Sequence, residues 1–378
     1  MFFIKECELE TNQTVLRKPT IDYIQILRAI AAVMVVLCHA RDFLKGSAYE
    51  DLAHSLFWPG AFGVDLFFII SGFIIVYTSY DYSRNDTIKF LKKRFFRVWP
   101  LYFILTAIYV LVVMLTDTKD MNGFSYNPSG REFEVLNIIK SLSFIPLDTN
   151  KPIYFGVATL FVGWTLNYEI YFYLVCAAGL LFSRYKYWFY GLWFVLTLIV
   201  IPAHLGLINK DRPFIEGYGY YNLMMQSLVW EFVFGAVIAI MFRKNILNIE
   251  RKNLAIPIII LGISSPVYAY ITQHNAGHGI THSGLYFCIM FFALALCHKF
   301  ISKHIKFPKS LLLIGNASYS LYLTHPITFI IVFKLKSIIF PDWSSASFSF
   351  LFTVVVASIF ISIMSYNFIE KKISALHR

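Results

Sequence analysis

Charge is what this chain has least of. Aspartate, glutamate, lysine and arginine make up 15% of its 378 residues, against 58% that are hydrophobic. A soluble domain carries roughly a quarter charged residues, so an ordinary water-soluble fold is excluded. The mean hydropathy of +0.62 says the same. Cysteine is also scarce: there are five, and Cys38, Cys176, Cys288 and Cys297 sit in or at the ends of apolar stretches with no paired spacing. That leaves out a disulfide framework or a zinc module and reads them as packing residues. Acidic residues number 22 against 33 lysines and arginines, a net charge of +11. The surplus is dispersed in short groups rather than gathered in one groove, so nucleic acid is not the implied partner; anionic membrane lipid and cofactor phosphates fit better. No repeat of fixed period marks duplicated halves. The longer connecting segments, 41–60, 116–155 and 204–222, are too short and unpatterned to be separate domains.

What is present is lipid-soluble length. Apolar stretches of about 20 residues, enough to span a bilayer, begin near Ile24, Phe62, Phe95, Val157, Trp188, Leu223, Leu254, Ser283, Lys309 and Phe348. The chain therefore reads as an all-α polytopic membrane protein with about ten transmembrane helices. Basic residues concentrate at Lys5, Arg17 and Lys18, Arg84 to Arg97, Arg184 and Lys186, Arg243 to Lys252, Lys299 to Lys309, and Lys371 to Arg378. By the positive-inside rule those segments, and both termini, are cytoplasmic. The expected division is a cytoplasmic segment 1–21, a membrane domain 22–370 and a cytoplasmic tail 371–378. Residues before Asp22 are polar and mixed in charge, so no cleavable signal is expected and the first span stays as a helix.

The first span carries Arg28 and His39. Eleven residues are almost three turns, so both lie on one face, roughly 16 Å apart along the axis. Ionisable groups in a span usually face a protein interior or a wet cavity, which makes this pair a candidate site. Asp65 opens the second span, at a depth expected to match His39. It either orients that imidazole as general base or caps a helix start, and spacing leaves both open. Ser71-Gly72 reads as a notch for close helix packing. In Lys92-Lys93-Arg94-Phe-Phe-Arg97, the two arginines are one turn apart and suit phosphate oxygens, while the lysines read as positive-inside anchors. The fourth span opens Trp164-Thr-Leu-Asn-Tyr168-Glu169, and a carboxylate among aromatics there must be protonated, paired or facing water, each implying an interior cavity. The ninth span places Ser318, Tyr322 and His325 on one face, ahead of a Pro326 expected to bend it. His325 reads slightly better as bonded to a neighbouring helix. Glu216, Glu231 and His204 fall at loops or helix ends, and His274, His278 and His282 form a loose cluster, which is read as solvated loop rather than metal site.

Together Leu27-Arg28-Ala-Ile-Ala-Ala with His39, Phe62-Gly-Val-Asp65-Leu-Phe-Phe-Ile-Ile-Ser71-Gly, Lys93-Arg94-Phe-Phe-Arg97-Val-Trp-Pro100, Trp164-Thr-Leu-Asn-Tyr-Glu169 and Ser318-Tyr-Ser-Leu-Tyr322-Leu-Thr-His325-Pro resemble the acyltransferase-3 family of integral membrane acyltransferases, from about Asp22 to Glu370. The wording around Asp65 is most similar to the branch linked with exopolysaccharide production and sugar O-acetylation. Ala29-Ile30 stand where many relatives have a glycine. The resemblance implies transfer of an acyl group, usually acetyl from cytosolic acetyl-CoA, to a hydroxyl of a carbohydrate or lipid-linked glycan at a bacterial inner membrane, without a metal. It also implies that Arg28 and His39 are the essential pair and that Arg94 and Arg97 serve the CoA end. Some members carry an additional soluble domain after the membrane part, and none follows here before Arg378. On this reading His39 is general base or acyl carrier, oriented by Asp65 or Glu169, with Arg28 beside the pantetheine arm. Trp164 and Tyr168 shape the acceptor cleft, and Tyr322 and His325 contact substrate. The alternative is a transporter or flippase of a lipid-linked sugar; a ligand-binding membrane sensor would need neither arginine.

Overall fold

A computed structural model of the protein describes residues 21–116, 133–148, 151, 153–155, 157–208 and 213–376. Lys5, Arg17, Lys18, Arg378 and most of the segments expected to flank the membrane domain lie outside them. The described residues fold into helices: α1 (Asp22–Ala40), α2 (Glu50–Phe57), α3 (Gly63–Ser79), α4 (Thr87–Leu115), α5 (Val135–Leu142), α6 (Trp164–Leu180), α7 (Lys186–Val195), α8 (Ile201–His204), α9 (Gly219–Met224), α10 (Leu228–Arg243), α11 (Lys252–Thr272), α12 (Ser283–Leu296), α13 (His298–His304), α14 (Lys309–Asn316), α15 (Ser318–Ile339), α16 (Phe348–Ser365) and α17 (Lys371–Leu376). One-turn π segments join α7 to α8 and, at Tyr366–Glu370, α16 to α17. The protein is all-α and polytopic, as its composition requires.

Among the described residues, seven helices are long and apolar enough to cross a membrane, or eight if α12 and α13, bent by 66°, form one span. The two further stretches expected to span are α6, of 17 residues, and α10, of 16. At 1.5 Å per residue each is about 25 Å long, a little less than the hydrocarbon core. Most of their side chains are buried against other helices. The apolar stretch from Lys309 also divides, because the chain breaks at Ala317 between α14 and α15. Pro326, by contrast, interrupts nothing, and α15 runs through it for 22 residues.

Small residues set how closely the helices approach. A Cβ on Gly72 of α3 would lie 2.1 Å from the carbonyl oxygen of Phe232, and one on Gly235 of α10 would lie 2.0 Å from that of Ile69. The two backbones touch through reciprocal glycines, the packing that membrane helices use where burial of apolar surface drives nothing. Gly72 is thus the notch its sequence suggested. On its other side α3 runs antiparallel to α1, with Gly60 just before it against Met34 and Gly63 against Ala31. α1 and α3 contribute side chains to both apolar clusters of the protein, one with α4, α6, α15 and α16, the other with α10 and α12. They form the partition on which the site is built.

Candidate active site

A cavity of about 140 Å³ opens between α1, α3, α4, α6 and α15. Arg28, Arg94, Arg97 and Glu169 all line it, as do Ser318 and Tyr322. Four residues from three separate sequence motifs therefore meet at one void, which is where an ionisable side chain of a membrane helix can stay hydrated.

Each arginine is held differently. Arg94 donates from Nη2 to Thr78 Oγ1 at 2.7 Å, with its guanidinium 5.5 Å from the Phe90 and Tyr173 ring centroids. Arg97 is ion-paired with Glu370, whose other oxygen accepts from Ser320 Oγ at 2.6 Å. Its guanidinium also lies 5.4 Å from the Tyr319 ring centroid. Arg28 donates to Gln25 Oε1 at 3.2 Å. Glu169 accepts from the Tyr173 hydroxyl one turn along α6. The expectation for Glu169 is met on two counts: it faces a cavity and it has a donor. Glu370 was missed as a site residue, although an acid following the last apolar stretch is a visible signal; its reach to Arg97, 273 positions earlier, is not.

His39 and His325 lie just beyond the cavity lining. Tyr322 lines the cavity, its hydroxyl donating to the Val162 carbonyl at 3.0 Å and standing 3.1 Å from Thr165 Oγ1. Its ring centroid is 6.2 Å from that of His325. His39 Nδ1 and His325 Nε2 are 3.0 Å apart, joining α1 to α15 across 286 positions. Phe161 meets both imidazoles edge-on, at 5.2 and 6.3 Å between centroids. His325 is fully buried and His39 partly so. The reading of His325 as bonded to a neighbouring helix holds, and the neighbour is the other intramembrane histidine.

Asp65 does not partner His39; it sits in the first turn of α3, where the helix-start reading puts it. Its carboxylate accepts from His278 Nδ1 at 2.7 Å and from the Gly279 amide at 2.7 Å. The antiparallel pairing of α3 with α1 explains why it does not partner His39. With Gly63 against Ala31, Asp65 is carried almost three turns, about 15 Å, from the level of His39. The segment between α11 and α12, expected as solvated loop, instead dips inward: the His278 side chain is 9% exposed. Glu231 lies at a helix end, as its position suggests, in the first turn of α10, where it is fully buried near Asp65.

The aromatic pair expected to shape an acceptor cleft separates into two roles. Tyr168 is fully buried and donates to the Ile153 carbonyl at 3.1 Å, a packing bond. Trp164 meets Tyr154 edge-on at 4.8 Å and lies 6.2 Å from the His278 ring.

Comparison with known proteins bears on the family of the whole chain. A family profile described as an acyltransferase domain matches residues 21–366. The exopolysaccharide production protein ExoZ of Rhizobium meliloti is 25% identical over 326 residues, covering 86% of this chain and 92% of the relative. The O-acetyltransferase OatA of Staphylococcus aureus is 24% identical over 324 residues, 79% of this chain and 49% of the relative, so the chain spans about half of that longer protein. An O-acetyl transferase of Shigella phage Sf6 is 24% identical over 357 residues, 91% of this chain and 93% of the relative. No solved structure matches.

Proposed function

The chain belongs to the acyltransferase-3 family and is a membrane acyltransferase, and from that footing we propose that it moves an acetyl group from cytosolic acetyl-CoA to a hydroxyl of a cell-surface or exported polysaccharide. The observation that carries this reading is a cavity bearing three arginines, with a histidine pair behind its lining residue Tyr322. The acceptor class follows the relatives, two named as O-acetyltransferases and one for exopolysaccharide production. The setting is a bacterial inner membrane, with the Arg94 end of the cavity toward the cytoplasm by the positive-inside rule.

In this mechanism CoA phosphates dock at Arg94, whose guanidinium is directed but not ion-paired to a carboxylate in the described hydrogen bonds. Arg97, already balanced by Glu370, holds that end of the cavity together, and Arg28 lies along the path of the pantetheine arm. Tyr322 must turn aside for the thioester to reach His39. The acceptor hydroxyl gives its proton to the His39 imidazole while its oxygen attacks the thioester carbonyl. The C–S bond breaks, and the departing thiolate takes the proton back from the imidazolium. In the covalent variant the imidazole nitrogen attacks the thioester first and the C–S bond breaks to release CoA thiolate. The hydroxyl oxygen then attacks the acyl-imidazolium, the C–N bond breaks, and the hydroxyl proton goes to the thiolate. The donor, the acceptor and the role of His39 are tested together by label transfer from radioactive acetyl-CoA to cell-envelope glycan, in membranes holding wild-type protein or His39→Ala at equal levels. Label lost only in the variant supports the proposal. Equal labelling removes His39 from the chemistry, and no label in either removes acetyl-CoA as donor and favours sugar transport.

A further inference from the structure

The geometry points to His325 as the positioning residue for His39: we propose that it locks the His39 ring in the tautomer whose Nε2 is unprotonated, so that His325 orients His39 as a carboxylate does in a hydrolase triad, without itself taking the proton. This rests on the reading of His39 as base or acyl carrier, and adds to it which nitrogen reacts and what holds it.

The argument starts from the planes of the rings. They are parallel to within 7°, with centroids 5.1 Å apart and a nitrogen–nitrogen distance of 3.0 Å. Two imidazoles stacked face to face would bring their centroids much closer. A separation only slightly less than the bond plus two ring radii puts them near one plane, edge to edge, with the nitrogens pointing at each other. That is the direction in which an N–H donates to a ring lone pair.

A shared bond between two neutral imidazoles has one donor and one acceptor, and the far side of His325 decides which. His325 Nδ1 lies 3.2 Å from the Leu321 carbonyl oxygen, which can only accept. Pro326 adds to this: having no N–H, it leaves the Tyr322 carbonyl, one residue further along α15 than Leu321, without its helical donor. The His325 proton is therefore on Nδ1, and Nε2 carries the lone pair. Nε2 must then accept, so His39 holds its proton on Nδ1 and donates it to His325. The remaining His39 nitrogen, Nε2, is the bare one. It is also the only ring nitrogen of the pair left for a substrate, and His39 is the member that is not fully buried.

The surroundings keep this arrangement in place. Phe161 abuts both rings edge-on and Phe329 meets His325 at 5.5 Å between centroids, so neither imidazole can flip without displacing an aromatic side chain. When Nε2 of His39 takes the hydroxyl proton, the new imidazolium still donates from Nδ1 to His325, and the bond strengthens as charge develops. In the covalent variant Nε2 is the nitrogen acylated, and the same bond steadies the acyl-imidazolium until the hydroxyl attacks. The acetyl group, the proton and the thiolate balance as in the parent reaction, and His325 gains and loses nothing.

Glutamine places a carbonyl oxygen near the position of histidine Nε2 and can accept from His39; leucine fills similar space and cannot. With purified protein in detergent, acetyl-CoA and cell-envelope glycan, His325→Leu is expected to lower kcat on the order of 10²- to 10⁴-fold with the KM for acetyl-CoA moved by less than about twofold, and His325→Gln to recover at least roughly tenfold of that loss. Turnover of His325→Leu within about threefold of wild type, or a folded His325→Gln no better than His325→Leu, overturns the assignment. Should the leucine variant fail to fold, ¹⁵N spectra of histidine-labelled wild-type and His325→Gln protein decide the matter without any acyl transfer. A bare Nε2 on His39 in both is expected, and a protonated Nε2 in the wild type overturns it. Because the spectra need no donor or acceptor, a failure of the acetyl-CoA reading is distinguishable from a failure of this one.

Discussion

Asp65 holds His278. One carboxylate oxygen takes the imidazole Nδ1 and the other the amide of the next residue, both at 2.7 Å, so a single side chain of α3 draws the loop between α11 and α12 into the protein. Asp65 is fully buried, and each of its carboxylate oxygens has a donor there.

Asparagine at this position keeps the shape and one acceptor but loses the charge. We expect Asp65→Asn to lower stability by about 2–4 kcal/mol, the range for a buried charged hydrogen bond broken on one side. Thermal unfolding in detergent reads the loss, and limited proteolysis should then cut within residues 273–282 more readily than in the wild type. Unchanged unfolding together with an uncut loop would show that the bidentate grip contributes little.

The elements that sequence made legible are those carried by local signals. Arg28 and His39 on one face of α1, Arg94 and Arg97 one turn apart, and Glu169 needing a cavity all follow from helical spacing and the cost of charge in lipid. The cavity brings the arginines and Glu169 together as that cost demands. What was not legible is pairing between helices. Asp65 was matched to His39 by an assumed depth, but the register of α3 on α1 is set by the close approaches at Gly60 and Gly63, which no periodicity reports. The His39–His325 and Arg97–Glu370 contacts span 286 and 273 positions. Nothing local in either partner names the other. His278 was discounted because a polar, glycine-containing stretch reads as solvated, and its burial depends on a carboxylate 213 positions away.

The glycine crossing of α3 with α10 makes a second expectation sharp because a control sits on the same molecule. A Cβ on Gly72 would lie 2.1 Å from the Phe232 carbonyl oxygen, a backbone atom that cannot move alone, whereas one on Gly191 of α7 would meet nothing within 4 Å. Gly72→Ala should force the two helices apart and cost at least about 2 kcal/mol, the scale of an overpacked core. Gly191→Ala should be neutral or stabilise by up to about 1 kcal/mol through helix propensity. Detergent unfolding of the two variants side by side is the measurement. Equal behaviour would mean that the contact between α3 and α10 is not tight in solution.

The last expectation concerns Arg97 and Glu370, which tie α4 to the π turn after α16. Glu370 is 2% exposed at its side chain and Arg97 33%, so removing the arginine strands the more deeply buried charge. Breaking a buried pair from either side costs on the order of 3–5 kcal/mol, while replacing both partners by uncharged groups is often close to neutral. Arg97→Gln and Glu370→Gln should therefore each destabilise by several kcal/mol, and Glu370→Gln should do so somewhat less, because its arginine retains partial access to water. The double variant should recover most of the loss, giving a coupling energy of about 2 kcal/mol or more. Ser320, which donates to the second Glu370 oxygen at 2.6 Å, can still donate to a glutamine, so the cycle isolates the ion pair. If the two single losses simply add in the double variant, Arg97 and Glu370 are not coupled, and Arg97 is free to meet an anionic ligand without first leaving a partner.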